Sequence, residues 1–284
     1  MTKTSSFGVS KRENHDATRF YARNVYDEYS SYEPRLPEVP DPEDWANALM
    51  CSDAAHIDIP RESIALTFTS PPYNVGKEYE EDMTKDEYAE FLYNIGLELY
   101  DVTIPGGRFV FNTANIGRKP YIPLTKLAYE IFADTIGFLP AGEIIWVKGK
   151  GASGSCAWGS WNSAKAPRLR DLHEYLLVFC KENYSRYDKG TSTMEKEEFM
   201  ESTLSTWYIA PESAKKVGHP APFPLELAKK VINLFSYKGD VILDPFVGSG
   251  TTCIAAKQLE RYYVGVDYTQ EYIDLAQKRI DTLA

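Results

Sequence analysis

The chain has 284 residues and a formal net charge of -10, with Lys+Arg 31 against Asp+Glu 41. That length suits one large α/β domain with an insertion better than two equal domains. The acidic balance excludes a protein that simply coats nucleic acid, because neutralising phosphates takes Lys and Arg facing the backbone.

Residues 1–40 are polar and Tyr-rich, end in Pro34, Pro37 and Pro40, and hold neither helical nor strand periodicity for long, so they read as an arm. The start, Met1 to Asn14, lacks the apolar core of a signal peptide, and no later apolar run approaches the roughly 20 residues of a membrane span. A cytoplasmic protein without membrane contact is expected. Ser63 to Thr69 is a short apolar run stopped by Ser-Pro-Pro, the pattern of a buried parallel strand opening at its carboxyl end into a loop. Lys85 to Val102 sets Tyr88, Phe91, Leu92, Ile95, Leu99 and Val102 at helical spacing, and Pro105-Gly106-Gly107 separates it from a strand Arg108 to Asn112.

A second helix, Leu124 to Phe132, and a strand, Glu143 to Val147, repeat the scheme. Gly149 to Pro167 is too irregular for an element and too long for a simple turn, which marks a functional loop. Leu172 to Phe179 reads as a strand. Residues 181–218 then change character, with charges of both signs and a Ser/Thr-rich centre, and read as an insertion. Helix Leu225 to Phe235, strand Val241 to Asp244, a Gly-rich turn, helix Thr251 to Leu259, strand Tyr262 to Asp267 and helix Gln270 to Leu283 complete the chain. Alternating helix and strand predicts an α/β fold with a mostly parallel sheet and helices on both faces.

Two motifs carry chemistry. In Asp244-Pro245-Phe246-Val247-Gly248-Ser249-Gly250-Thr251-Thr252, Gly248 and Gly250 let the backbone approach a ligand, the following helix offers free N–H groups, and Asp267 about 20 residues on can accept from ribose hydroxyls. Cys253 stands where a dinucleotide fingerprint wants its third glycine, and Asp-Pro-Phe precedes the turn, which favours S-adenosylmethionine over NAD. The alternative is a tight turn without a ligand. The other motif is Thr69-Ser70-Pro71-Pro72-Tyr73. An exocyclic base amine is a poor nucleophile because its lone pair is delocalised into the ring; two acceptors, the Ser70 hydroxyl and the Pro71 carbonyl held by the rigid Pro71-Pro72 pair, can localise it. Tyr73 can stack on a base flipped out of the duplex.

Between Trp146 and Arg170 stand Lys148, Lys150, Lys165, Arg168 and Arg170 with no acid, one segment of the right sign to meet phosphates, the plainer alternative being a solvated face. Trp158 and Trp161 in the same stretch can stack on DNA or pack the loop onto the body. His173 and Glu174 on a strand read as structural. Cys51, Cys156, Cys180 and Cys253 form no CxxC pair, so neither a metal site nor a disulfide frame is expected.

With both motifs in hand, the chain resembles the amino-methyltransferases of prokaryotic restriction-modification systems. In that family a D/N/S-P-P-Y/F tetrapeptide is catalytic and a D-P-F-x-G-S-G-T loop holds the methionine part of S-adenosylmethionine, matched here by Ser70 to Tyr73 and by Asp244, Pro245, Phe246, Gly248, Ser249, Gly250 and Thr251. The catalytic motif comes first, which resembles the circularly permuted β group with a target-recognition segment between the motifs, here 181–218. His219-Pro220-Ala221-Pro222-Phe223-Pro224 resembles that group's H-P-x-x-F-P element, whose Phe lies against the cofactor. The resemblance runs from about Asp41 to the C-terminus and implies a Rossmann-like methyltransferase fold. Ser52-Asp53 departs from the Gly-Asp of many relatives, leaving Asp53 as a candidate for the cofactor's adenosine.

A leading Ser is found in this family mostly in cytosine-N4 enzymes, so N4-cytosine is the favoured target and N6-adenine the alternative. Cytosine-C5 chemistry needs a Cys nucleophile, usually after Pro, and none of these cysteines follows Pro. A protein or small-molecule methyltransferase would place the cofactor loop first, and a silent binder would have no use for both motifs. The implied reaction is direct methyl transfer without a covalent enzyme intermediate. The implied partners are duplex DNA and a cognate endonuclease, with the enzyme a monomer or homodimer.

Overall fold

The computed structural model describes residues 32–33, 35–73, 83–117, 120–149, 159–212 and 222–283. Glu33–Ala284 forms one compact unit, and the predicted arm falls almost entirely in 1–31, outside the described residues. At the end of that arm Arg35 donates to Glu62 and to Glu182, the latter at 2.8 Å. The bond to Arg35 holds the Glu62 carboxyl down at about 2.

The sheet has eight strands: β1 (Ala48–Cys51), β2 (Ile64–Thr69), β3 (Thr103–Thr113), β4 (Leu139–Val147), β5 (His173–Cys180), β6 (Thr206–Tyr208), β7 (Val241–Asp244) and β8 (Tyr262–Asp267), in the order β1-β8-β7-β2-β3-β5-β4-β6. β5 alone runs against its neighbours β3 and β4; every other pairing is parallel. The helices are α1 (Lys85–Val102), α2 (Leu124–Tyr129), α3 (Lys196–Ser202), α4 (Leu225–Phe235), α5 (Thr251–Gln258) and α6 (Gln270–Leu283).

Both faces of the sheet are covered, and the strands divide their side chains accordingly. Phe109, Phe111, Leu177, Phe179, Leu243 and Val264 join α1 and α2 in one core. Val110, Leu176, Val178, Ile242 and Tyr263 join α4, α5 and α6 in the other. This period-2 alternation with apolar residues at every step is what a doubly covered sheet requires. α1 begins at a capping box, with Glu87 N donating to Thr84 Oγ1 at 3.2 Å and Thr84 N donating to Glu87 Oε2 at 2.7 Å.

Several elements differ from the expectation. Pro105-Gly106-Gly107 does not stand outside a strand; β3 starts at Thr103 and bulges there, because the pairing jumps from Ile64↔Thr103 to Leu66↔Arg108. Gly106 takes φ 75, a left-handed value that glycine adopts without strain, and its N–H bonds Lys181 O at 2.8 Å, which keeps the bulge paired. The helix predicted to end at Phe132 widens instead into a π-helix, Glu130–Ile136. β1 and β6 were not foreseen. Each is an edge strand of three or four residues, too short for a period to show.

The antiparallel β5 also decides where the following chain lies. Its last residue, Cys180, pairs with Arg108 and Leu139, near the starts of β3 and β4. Residues 181–193 therefore run along the amino ends of the parallel strands. There Arg186 Nη2 bonds Asp240 Oδ1 at 2.9 Å, Lys238 N bonds Thr191 O at 2.9 Å, and Arg261 Nη1 bonds Thr193 Oγ1 at 2.6 Å. Only after β6, which runs parallel to β4 and sets Tyr208 beside Val147, does the chain regain the carboxyl end.

Arg186 has only 10% of its side chain exposed and pairs with both Asp188 and Asp240. Arg186→Ala should lower unfolding free energy by about 3 kcal/mol, the cost of stranding a nearly buried carboxylate. Urea unfolding measures it, and S-adenosylmethionine affinity should stay within about two-fold because the pair sits at the far end of the sheet; a change under about 0.5 kcal/mol, the ordinary surface range, would contradict this.

Candidate functional site

The carboxyl ends of the parallel strands bring the chemistry-bearing residues together, where α/β sheets bind ligands. β2 leads into Ser70, β3 ends beyond Asn112, β7 ends at Asp244 and β8 at Asp267. β5, running the other way, starts there with His173 and Glu174.

Asp244 joins the two motifs although 175 positions separate it from Thr69. Its carboxylate accepts from Thr69 Oγ1 at 2.8 Å, Thr252 Oγ1 at 2.6 Å and Phe246 N at 3.1 Å. Burial, with the residue 1% exposed, pushes its carboxyl up to about 6 despite these donors. The bonds clamp the end of β2, the turn after β7 and the first turn of α5 into one unit.

The turn itself suits a nucleoside-type ligand. Gly250 takes φ 80, and a Cβ there would lie 3.0 Å from Ala276 Cβ, so the sharp entry to α5 needs a glycine. No side chain caps α5 and no acid occupies its first turn, leaving backbone N–H groups and the positive end of the helix dipole for a ligand. Gly248 N donates to Asp267 Oδ2 at 3.1 Å and Thr269 N to Asp267 Oδ1 at 3.0 Å. Burial raises the Asp267 carboxyl as well. Phe223 packs on Phe68 of β2 at 4.8 Å between ring centroids, and Phe246 on Phe91 at 5.8 Å, so two aromatic walls flank the turn. This backbone cradle, with a carboxylate at the end of the next strand, fits S-adenosylmethionine. Asp53 is placed differently: 70% exposed, its carboxylate accepts from Ala55 N of its own loop.

Beside the cradle the Ser70 hydroxyl lies in a polar network. Ser70 Oγ is 2.9 Å from Tyr73 OH, Asn112 Nδ2 donates to Ser70 Oγ at 3.2 Å and to Tyr73 OH at 3.0 Å, and Tyr73 OH donates to Asn112 O at 3.3 Å. The Pro71-Pro72 segment is tied down by Tyr88 OH donating to Pro72 O at 2.9 Å. Asn112 was missed by sequence reasoning. Its only signal is a polar residue near the carboxyl end of an apolar strand, the position that Asp244 and Asp267 share.

The proposed DNA-contacting residues are placed unevenly. Lys150 and Trp158 lie outside the described residues. Lys165, Arg168 and Arg170 are exposed, Trp161 is 73% exposed, and Arg168 reaches Gly117 O at 3.5 Å. Lys148 stands apart from them: it pairs with Glu174 and lies over the Trp146 ring. Among the cysteines, Cys51 is exposed and Cys180 and Cys253 are buried. No helix among the described residues is long and apolar enough to cross a membrane.

Comparison with known proteins agrees with this geometry. A family model described as DNA methylase matches residues 64–278. Type II methyltransferase M.ScaI of Streptomyces caespitosus is 28% identical over 237 residues, covering 80% of this chain and 78% of the relative. M.MjaVI of Methanocaldococcus jannaschii is 33% identical over 177 residues, covering 60% of this chain and 88% of the relative. The fold matches a DNA modification methylase of Thermus thermophilus, solved with S-adenosyl-L-methionine, at TM-score 0.66 and 29% identity over 82% of this chain and 93% of that one. It also matches the PvuII DNA methyltransferase (cytosine-N4-specific) at TM-score 0.66 and 20% identity over 83% and 90%.

The buried Asp244 yields a prediction with a defined sign. Its folded carboxyl is raised, so the folded state holds the proton longer than the unfolded state, and the penalty of the charge grows as pH rises from about 4 to 6. Asp244→Asn removes that penalty. The stability of this variant relative to wild type should rise from about pH 4 to about pH 7.5 by on the order of 3 kcal/mol, read from urea midpoints at each pH. A pH-independent difference would refute it.

Proposed function

The chain belongs to the DNA methylase family, and from that premise we propose that it methylates the N4 amino group of cytosine at a specific site in duplex DNA. It is an S-adenosylmethionine-dependent DNA methyltransferase. The finer reading is carried by one observation: Ser70, a neutral hydroxyl rather than an acid, leads the tetrapeptide and lies directly beside the Asp244 turn. The alternative target is N6 of adenine, whose amine poses the same chemical problem.

In the proposed mechanism Gly248, Ser249, Gly250 and Thr251 would hold the methionine part of the cofactor, Asp267 its ribose, and Pro245, Phe246 and Phe223 the remaining wall, with the exposed Asp53 the candidate for its adenine. When bound, S-adenosylmethionine supplies a methyl group on a sulfonium, which is reactive enough that no metal or covalent enzyme intermediate is needed. Ser70 Oγ and Pro71 O each accept a hydrogen bond from the target amine, localising its lone pair, and the proton that the methylated nitrogen must lose leaves to solvent. Pro72 keeps the Pro71 carbonyl oriented. Tyr73, half-buried and hydrogen-bonded through its hydroxyl, offers its ring to the flipped base.

We assign DNA contact to the connection between β4 and β5, through Lys148, Lys150, Trp158, Trp161, Lys165, Arg168 and Arg170. That connection leaves and re-enters at the carboxyl end of the sheet, on the side of Ser70. Of the segment 181–218, residues 209–212 share that end, while 181–193 serve as structural anchorage at the other. The chain order, with Ser70 before Asp244, supports the circularly permuted arrangement. The same reading places the enzyme in a prokaryotic cytoplasm as the methylating partner of a cognate endonuclease.

The test is transfer of labelled methyl to duplex DNA, with the product nucleoside identified by mass spectrometry. N4-methylcytosine is expected from the wild type, and Ser70→Ala should lose about 2–4 kcal/mol of barrier stabilisation, or roughly 30- to 1,000-fold in kcat, with S-adenosylmethionine affinity retained. N6-methyladenine alone would replace the cytosine reading, and no transfer to any DNA would end both.

A further inference from the structure

The proposed mechanism leaves Glu174 without a role, yet together with Lys148 it reaches the Ser70 network from outside. Asn112 is 1% exposed; one of its two Nδ2 hydrogens goes to Glu174 Oε2 at 3.0 Å and the other is shared between Ser70 and Tyr73. Lys148 Nζ bonds the other carboxylate oxygen, Oε1. The Asn112 Oδ1 atom, by contrast, is buried with no hydrogen-bond partner among the described residues.

An unpartnered buried acceptor costs about 1–3 kcal/mol, so the amide accepts this orientation only because something on the other side demands a donor. Ser70 and Tyr73 hydroxyls cannot make that demand, since each could equally donate to an amide oxygen. A carboxylate only accepts. Among the described residues Glu174, whose other oxygen is held by Lys148, is the neighbour that excludes the flipped amide. The orientation propagates. A serine hydroxyl has one proton and two lone pairs. Asn112 fills one lone pair of Ser70, and Tyr73, whose own proton points to Asn112 O, takes the Ser70 proton. One lone pair remains, and the only thing it can do for an incoming amine is accept.

We propose that Glu174 is a positioning residue for methyl transfer: braced by Lys148, it locks the Asn112 amide as a donor and thereby presents Ser70 Oγ to the target amine as an acceptor. This rests on the Ser70 reading above. Because Glu174 touches neither the cradle nor Lys165, Arg168 and Arg170, and its substitution leaves Lys148 in the chain, its loss should fall on kcat.

Glu174→Ala should lower kcat about 10- to 100-fold, the range for sub-ångström to ångström misplacement of a reacting group, with KM for duplex DNA and Kd for S-adenosylmethionine within about two-fold. Glu174→Gln, whose amide can donate to a flipped Asn112 while Lys148 claims its oxygen, should lose kcat to a similar extent. An unchanged kcat in Glu174→Ala or in Glu174→Gln, or a loss expressed in KM for DNA, would overturn the proposal. If Glu174→Ala does not fold, Glu174→Asp, which withdraws the carboxylate by one methylene, carries the same test. A neutron crystal structure of the variant, which locates the amide deuterons, separates this idea from the reading it rests on: even if the wild type methylated no DNA, the Asn112 amide must have turned its Oδ1 toward Ser70 Oγ, and an unturned amide would overturn the positioning role.

Discussion

A single buried carboxylate holds the two halves of this enzyme in register. Asp244 ends β7, and its oxygens are shared among Thr69 at the end of β2, Thr252 in the first turn of α5 and the Phe246 amide. Thr69 precedes Ser70, so the Ser-Pro-Pro-Tyr segment and the Gly-rich turn are built on opposite sides of one hydrogen-bonded group. Methyl transfer requires the nucleophile to meet the donor within a few tenths of an ångström. A carboxylate with donors on both of its oxygens transmits position in a way that apolar packing, which tolerates sliding, does not. The cost is visible in its carboxyl, driven up to about 6 by desolvation.

Around this joint the sheet supplies a common rim. Parallel strands deliver Ser70, Asn112, Asp244 and Asp267 to the same end, so one architectural fact accounts for most of the site. The exception is β5. Running the other way, it starts at the rim and so contributes its first residues, His173 and Glu174, where its neighbours contribute their last. That reversal is why Glu174 can reach Asn112 across the β3–β5 pairing. His173 meanwhile pairs with the hydroxyl of Tyr175 at 2.9 Å and takes no part in the network.

The same reversal divides the long segment between the motifs. Leaving β5 at the amino end of the sheet, the chain is pinned there by Arg186, Thr191 and Thr193 before β6 returns it to the rim. Its mixed charges, which mark an insertion when read as composition, include ion pairs made within the body: Lys181 with Glu62, Arg186 with Asp188 and Asp240. Charge composition reports how many ionic groups a segment has. It does not report whether they face DNA or each other.

What the sequence determined by itself was what local patterning can encode. Apolar runs ending in Ser70, Asp244 and Asp267 identified three strands and the polar residue each presents. The spacing of Tyr88, Leu92, Ile95 and Leu99 identified α1, and the two motifs led to the cofactor class and the family. Only the tertiary structure decided which of these ends are neighbours, that β5 is reversed, and that Asn112 and Glu174 stand beside Ser70. Those facts depend on strand pairing between positions far apart along the chain. No period or motif records such a pairing, because its energy comes from hydrogen bonds and burial that exist only once the sheet has closed around Asp244.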